Sequence, residues 1–229
     1  MIKAIVTDIE GTTTSISFVA DILFPYAKQR MANFLEQHQA QAEVASEIEA
    51  CRVVAKEPDA TLTRVTEILL QWIEQDVKAT PLKNLQGMIW RHGYEDGSLK
   101  GHLYPEVADK LKQWHASGID LSVYSSGSEA AQKLLFGYSV AGDLTPLFNR
   151  YFDTRIGGKK ETASYQTIQS HLSYPANEIL FLSDVVDELD AAQQAGLVTI
   201  ALDRLQVAEG FGRHPVVTSF SEIDLESLG

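Results

Sequence analysis

The sequence predicts an α/β protein: a parallel, Rossmann-like sheet with an all-helical segment inserted after its first strand. Three observations predict it. The β-forming run Ala4-Ile5-Val6-Thr7 ends in Asp8-Ile9-Glu10-Gly11-Thr12-Thr13, the polar, glycine-containing stretch expected where a short buried strand meets a sheet edge. From Thr14 to about Gly101 the apolar residues keep helical spacing and no convincing strand interrupts them. Beyond Gly101, strand-length apolar runs alternate with helical patterns, which implies right-handed crossovers and a sheet covered on both faces. The expected division is an α/β core from residues 1–14 and 102–229 and a helical cap from residues 15–101.

Taken in order, the first strand leaves Asp8 at its carboxyl end, where open α/β sheets place their ligands. In the inserted segment, Phe18, Ile22, Tyr26, Phe34 and Leu35 fall on one side, with Pro25 dividing or kinking the run. Leu62, Val65, Leu69, Trp72 and Ile73 repeat that spacing, and Leu82, Leu85, Met88 and Ile89 form a third run expected to break at Gly93. Tyr104-Pro105 opens a helix through Trp114 that Gly118 closes, and Ile119 to Tyr124 read as a strand leading into Ser125-Ser126-Gly127-Ser128. A helix from Glu129 to Tyr138 follows, with Ser128 as its N-cap. Phe152-Asp153 read as a short strand before Gly157-Gly158-Lys159, and Thr162 to Leu172 as a helix. Ile179 to Leu182 form a buried strand running into Ser183-Asp184, and a helix to Ala195 ends at Gly196. Leu197 to Leu202 form another strand, Pro215 to Thr218 an edge strand, and Ser221 to Leu228 a terminal helix.

A formal net charge of −12 argues against nucleic acid or an anionic membrane surface as partner, so an anionic substrate would need local positive charge in its pocket. The single cysteine, Cys51, has no internal disulfide partner, and no segment has the length of an apolar membrane helix; a cytoplasmic monomer is the expectation.

Polar residues of complementary kinds sit at strand ends or loops far apart in the chain: Asp8 and Glu10, Ser125 to Ser128, Lys159, and Asp184 with Glu188. A parallel sheet brings such positions to one edge. Carboxylates supply hard oxygen ligands for Mg²⁺, a lysine adds compact positive charge, and serine hydroxyls with backbone N–H groups suit phosphate oxygens. Together they suit phosphoryl transfer, with one carboxylate attacking and a longer-armed one moving a proton. Read singly, each has a plainer reading. Ser128 is a helix cap, Lys159 or Lys160 a solvated lysine, Asp184 a cap, and Asp187 and Asp190 an acidic first turn. His38, His115, His171 and His214 read as surface or loop residues.

As a set these residues resemble the haloacid dehalogenase superfamily: Asp8-Ile9-Glu10-Gly11-Thr12 its first motif with Glu for the second Asp, Val123-Tyr124-Ser125 its second, Lys159 its third, and Asp184 with Glu188 its acidic fourth. The stretches Ile89-Trp90-Arg91, Leu99-Lys100-Gly101, Tyr124-Ser125-Ser126-Gly127-Ser128, Phe152-Asp153-Thr154 and Phe181-Leu182-Ser183-Asp184 further resemble the enolase-phosphatases of methionine salvage. Asp203-Arg204-Leu205-Gln206 departs from the Arg-Pro-Gly-Asn type of turn expected there. The resemblance implies a haloacid dehalogenase-like fold, Mg²⁺ as cofactor, and a phosphorylated diketone as substrate. It implies Asp8 as nucleophile and metal ligand, and Glu10 as proton carrier that binds metal through its backbone carbonyl. Asp184 would complete the protein ligands, Ser125, Ser126 and Lys159 would hold phosphate, and Gly127 and Glu188 would support them. The extra methylene of Glu10 suggests a further part in enolisation.

Overall fold

Six parallel strands carry the architecture: β1 (Ala4–Thr7), β2 (Asp120–Tyr124), β3 (Phe148–Phe152), β4 (Ile179–Ser183), β5 (Val198–Leu202) and β6 (Val216–Val217), in the spatial order β3-β2-β1-β4-β5-β6. The computed structural model describes residues 1–207 and 210–228. Every residue of β1 and β4 is buried, which is why their sequences, up to the terminal Ser183, are apolar or β-branched runs rather than alternating ones. Chain progression reverses at β1, with β2 and β3 to one side and β4 to the other. The crevice beyond the carboxyl ends of β1 and β4 is therefore the topological switch point, where such sheets bind ligands.

Register brings the site residues level. Thr7 stands opposite Val123 of β2 and Leu182 of β4, and the next amide, Asp8 N–H, still donates to Leu182 O at 2.9 Å. Asp8 thus leaves the sheet beside Ser183 and Asp184. The helices α5 (Val107–Ala116), α6 (Glu129–Gly137), α7 (Thr162–Leu172) and α8 (Val186–Gln194) cover the sheet. Tyr165 and Ile168 of α7 and Leu189 and Ala192 of α8 pack with Ala4, Val6, Tyr124 and Phe181 in one cluster. Full burial of side chains of this size contributes about 1.5–3 kcal/mol each, before the cost of ordering them.

The chain divides into two compact units, Met1–Ile16 with Lys100–Gly229, and Ser17–Leu99. The second unit is helical throughout: a π-helical segment Phe18–Leu23, then α1 (Phe24–His38), α2 (Ala42–Ala55), α3 (Leu62–Glu74) and α4 (Thr80–Glu95). Its core includes Met31, Leu35, Cys51, Leu69 and Leu85. Pro25 lies in the first turn of α1, where its missing N–H costs nothing, and so it divides the run. Trp90 lies in α4 and donates its indole N–H to Leu23 O at 2.8 Å.

Several elements differ from the sequence expectation. Ile22 is 47% exposed because the wider π-helical winding turns it off the apolar stripe. Strand β3 begins at Phe148; exposed Asn149 and Arg150 disguise its start, as suits an edge strand. The expected helix over Ser221–Leu228 is two 3₁₀ turns, Phe220–Glu222 and Glu226–Leu228, separated at Ile223, which is extended and buried. The Asp224 carboxylate accepts Glu226 N–H at 3.0 Å and starts the second turn afresh. His214, expected at the surface, is buried, with Nδ1 2.8 Å from Thr199 Oγ1 and Nε2 3.1 Å from Asp190 Oδ1.

Helix α4 runs through Gly93 instead of breaking there. The glycine answers to packing: a Cβ at that point would lie 2.5 Å from Tyr26 Oη and 2.9 Å from Leu99 Cδ1. Alanine's better helix propensity, worth about 1 kcal/mol, is outweighed by this overlap. Gly93→Ala is expected to destabilise the protein by about 1–2 kcal/mol, read as a lower urea midpoint at unchanged slope. Cys51 is fully buried, and burial pushes its thiol up to about 11. The folded protein is therefore expected to leave an aromatic disulfide reagent unreacted at pH 8 and to consume one equivalent once unfolded, followed by absorbance. Among the described residues no helix is long and apolar enough to cross a membrane.

Candidate active site

Lys159 is the centre of the charge cluster. Its ammonium lies 2.6 Å from Asp8 Oδ1 and 2.7 Å from Glu188 Oε2, and all three side chains are less than a tenth exposed. The lysine reaches them from the loop after β3, where Tyr165 Oη donates to Lys159 O at 2.6 Å and Tyr124 Oη to Gly157 O at 3.1 Å. Burial alone would push the lysine's pKa down, but the two carboxylates more than offset this, and it is raised. Ser183 Oγ lies 3.0 Å from Glu188 Oε2 and 3.3 Å from Asp8 Oδ2, and it accepts Val185 N–H at 3.1 Å. Ile9 N–H donates to Asp8 Oδ1 at 2.7 Å, which leaves Oδ2 with the more lightly bonded lone pairs.

Asp184 faces the turn that follows Asp8. Gly11 holds φ +73°, and a Cβ there would sit 2.0 Å from Asp184 Oδ2, so only glycine allows the carboxylate this approach. Asp184 Oδ1 is buried without a hydrogen-bond partner. Burial first, then the nearby Asp8 charge, push the Asp184 carboxyl up to about 6, with a smaller contribution from Glu10. Glu188 is pushed up by burial and by Asp8, since one cation is shared between two acids.

Ser125 and Ser126 follow β2, the neighbour of β1. Ser125 Oγ accepts Gly127 N–H at 3.1 Å and keeps its own proton to donate. Ser126 is exposed, and Ser128 accepts Ala131 N–H at 3.3 Å as the N-cap of α6. Glu10 is exposed on the turn beyond β1. Lys160 and Asp187 pair with each other at 2.7 Å, exposed, and Asp190 pairs with His214. The geometry thus brings Asp8, Lys159, Asp184 and Glu188 together at the switch point, with the serine loop on the adjoining strand.

Known proteins resemble this chain in sequence and in fold. The family model described as haloacid dehalogenase-like hydrolase matches residues 2–196. A protein of Pseudomonas aeruginosa (strain UCBPP-PA14) named Enolase-phosphatase E1 is 56% identical over 98% of this chain and 99% of its own. The Enolase-phosphatase E1 of Pseudomonas savastanoi pv. phaseolicola is 56% identical over 99% of each chain. The chain belongs to the enolase-phosphatase family of haloacid dehalogenase-like hydrolases. The crystal structure of the UTR4 protein of Saccharomyces cerevisiae matches this hydrolase with a TM-score of 0.83 at 32% identity, covering 97% of this chain and all of that one. A structure of CbbY from Rhodobacter sphaeroides in complex with phosphate shares the fold, at a TM-score of 0.65 and 18% identity over nearly all of both chains.

Members of this hydrolase family generally use a divalent metal, and the residues here fit one. The unpartnered Asp184 Oδ1 and the Asp8 carboxylate form a hard, anionic donor set whose mutual repulsion a cation would relieve. Among the described residues no three His, Cys, Asp or Glu side chains are gathered as a chelate, so a metal's side-chain ligands would be few and its remaining positions would fall to backbone carbonyl and water. Two participants escaped the sequence reading. Ser183 was visible only as the last polar residue of an apolar strand, and Arg204 only as part of an atypical turn. That turn has Gln206 at φ +54°, Gln206 N–H donating to Asp203 O at 3.2 Å and Val207 N–H to Asp203 Oδ1 at 3.0 Å.

Proposed function

We infer that this hydrolase is an enolase-phosphatase that converts 2,3-diketo-5-methylthiopentyl-1-phosphate through its enol phosphate to an acireductone and inorganic phosphate. The observation that carries the reading is the buried Lys159 held between Asp8 and Glu188, together with the Asp184 carboxylate whose Oδ1 has no hydrogen-bond partner. Mg²⁺ is the assigned metal; Asp8, Asp184 and the backbone carbonyl of Glu10 would hold it, and it would lower the repulsion between a carboxylate and a phosphate dianion.

In this reading Asp8 Oδ2 forms a bond to phosphorus as the ester P–O bond breaks, and Glu10 gives its proton to the leaving oxygen. Glu10 then takes a proton from water as that water attacks the aspartyl-phosphate, releasing phosphate and restoring Asp8. Lys159 holds Asp8 in place and balances charge on the phosphoryl oxygens, Ser125 and Ser126 donate hydroxyls to them, and the Gly127 N–H supports Ser125 by donating to its Oγ. Glu188 and Ser183 orient Lys159 and Asp8 from behind. Before that, a proton beside a carbonyl must leave carbon and a proton must reach the carbonyl oxygen, and the long arm of Glu10 is assigned a part in this transfer. The enzyme is taken to be a cytoplasmic monomer, in keeping with its lone, buried cysteine.

The deciding experiment follows ultraviolet absorbance of the enol and released phosphate in the same reaction. Enol absorbance is expected to rise before phosphate appears, and chelation with EDTA is expected to stop phosphate release until Mg²⁺ is restored. Phosphate release from the diketone with no preceding enol signal would identify a plain phosphatase instead.

A further inference from the structure

The turn that carries Glu10 and Gly11 is closed on its own N–H groups: Thr12, Thr13 and Thr14 all donate to Ile9 O, at 3.2, 2.9 and 2.9 Å, and Gly11 N–H donates to Thr14 O at 2.8 Å. Its outward carbonyls are held from elsewhere in the chain. Thr13 O accepts Tyr104 N–H at 3.1 Å, whereas Thr12 O accepts two guanidinium N–H groups of Arg204, from Nε at 3.1 Å and Nη2 at 2.7 Å.

Arg204 is itself fixed on every side. Its side chain is 5% exposed, Nη1 lies 2.5 Å from Glu106 Oε1 and donates to Thr218 O at 3.2 Å, and the guanidinium carbon sits 4.1 Å from the centre of the Tyr104 ring and 5.2 Å from that of Phe220. Glu106 Oε1 in turn accepts Phe220 N–H at 3.2 Å. A planar, permanently charged fork used in this way defines both the position and the orientation of one carbonyl, which an ammonium cannot do. That carbonyl is one residue from Gly11, whose approach to Asp184 leaves no room for a single added carbon.

We propose that Arg204 is a positioning residue for the catalytic turn: by clamping Thr12 O it holds Gly11 and the Glu10 backbone against Asp184, where a divalent cation would bind. Loss of the clamp lets the turn relax away from Asp184, so cation affinity and turnover fall together while the folded sheet persists. The inference rests on the enolase-phosphatase reading for its activity measurements but not for its binding measurement.

The test compares wild type, Arg204→Gln, Arg204→Lys and a destabilised control in the same unit, Leu111→Ala. Mg²⁺ binding to the metal-free full-length enzymes is measured by calorimetry, and kcat and KM are measured at saturating Mg²⁺. Arg204→Gln is expected to weaken Mg²⁺ binding by about tenfold and to lower kcat by about 10–100-fold, with KM within about threefold because no substrate contact is removed. Arg204→Lys should fall between it and wild type. Arg204→Gln indistinguishable from Leu111→Ala in both Mg²⁺ affinity and kcat overturns the proposal. If Arg204→Gln fails to fold, Arg204→Lys is judged by the same comparison. A wild-type enzyme that binds Mg²⁺ but lacks the activity overturns the functional reading alone, whereas one that binds no Mg²⁺ overturns both.

Discussion

Asp8→Asn is expected to abolish phosphate release, lowering kcat by roughly 10⁴- to 10⁶-fold, while leaving a folded protein. The amide keeps the shape of the carboxyl group and one oxygen for the bonds now made by Ile9 N–H and Lys159. It cannot form an acyl-phosphate of the same reactivity, so no phosphoenzyme should be trapped by rapid acid quench with labelled substrate. Stability should stay within about 1 kcal/mol of wild type, because Lys159 retains Glu188 and the substitution removes one of three crowded carboxylates. Wild-type-like turnover by the purified variant would remove Asp8 from its assigned role. The same comparison run on the enol signal separates the half-reactions: an enol that accumulates without phosphate release places enolisation upstream of Asp8 chemistry.

The site was legible in sequence where chemistry coincided with a local punctuation mark. Asp8, Ser125 and Asp184 each stand where an apolar run stops, and a parallel sheet makes every such stop a candidate for the same edge. Lys159 has no such run immediately before it, and only its place in the set distinguished it from the exposed Lys160. The strand β3 that leads towards it was read short because an edge strand tolerates polar residues on its open side. Contacts between distant loops left no pattern at all: Arg204 and Thr12 meet across 192 positions, and neither periodicity nor composition at either end anticipates it. Gly93 and Gly11 failed to explain themselves for a related reason. A glycine placed for conformational freedom and one placed for lack of a side chain look the same in sequence, and only the neighbour, Tyr26 in one case and Asp184 in the other, tells them apart.

Gly11→Ala should therefore be among the most damaging single-carbon additions in the α/β unit. Two independent costs fall on it. A residue with a Cβ held at φ +73° costs about 1–2 kcal/mol, and the carbon itself would overlap Asp184 Oδ2 at 2.0 Å and Cγ at 2.4 Å. The Asp184 carboxylate is half-buried and short, with Oδ1 fully enclosed, so it yields only by leaving its place, and the turn yields only by pulling against the Arg204 clamp on Thr12 O. Either movement opens the distance between Asp184 and the Glu10 backbone by the order of an ångström, for which a loss of about 10²-fold in kcat is expected, together with about 2–3 kcal/mol of stability. Urea unfolding and turnover at the Mg²⁺ concentration that saturates wild type measure the two separately. An alanine enzyme with kcat within about threefold of wild type would show that Asp184 and the turn need not approach so closely. A further, opposing test is available in the metal dependence: if displacement of Asp184 is the cause, raised Mg²⁺ should recover part of the lost rate, whereas damage to the Asp8 attack geometry alone would leave the rate unchanged by added metal.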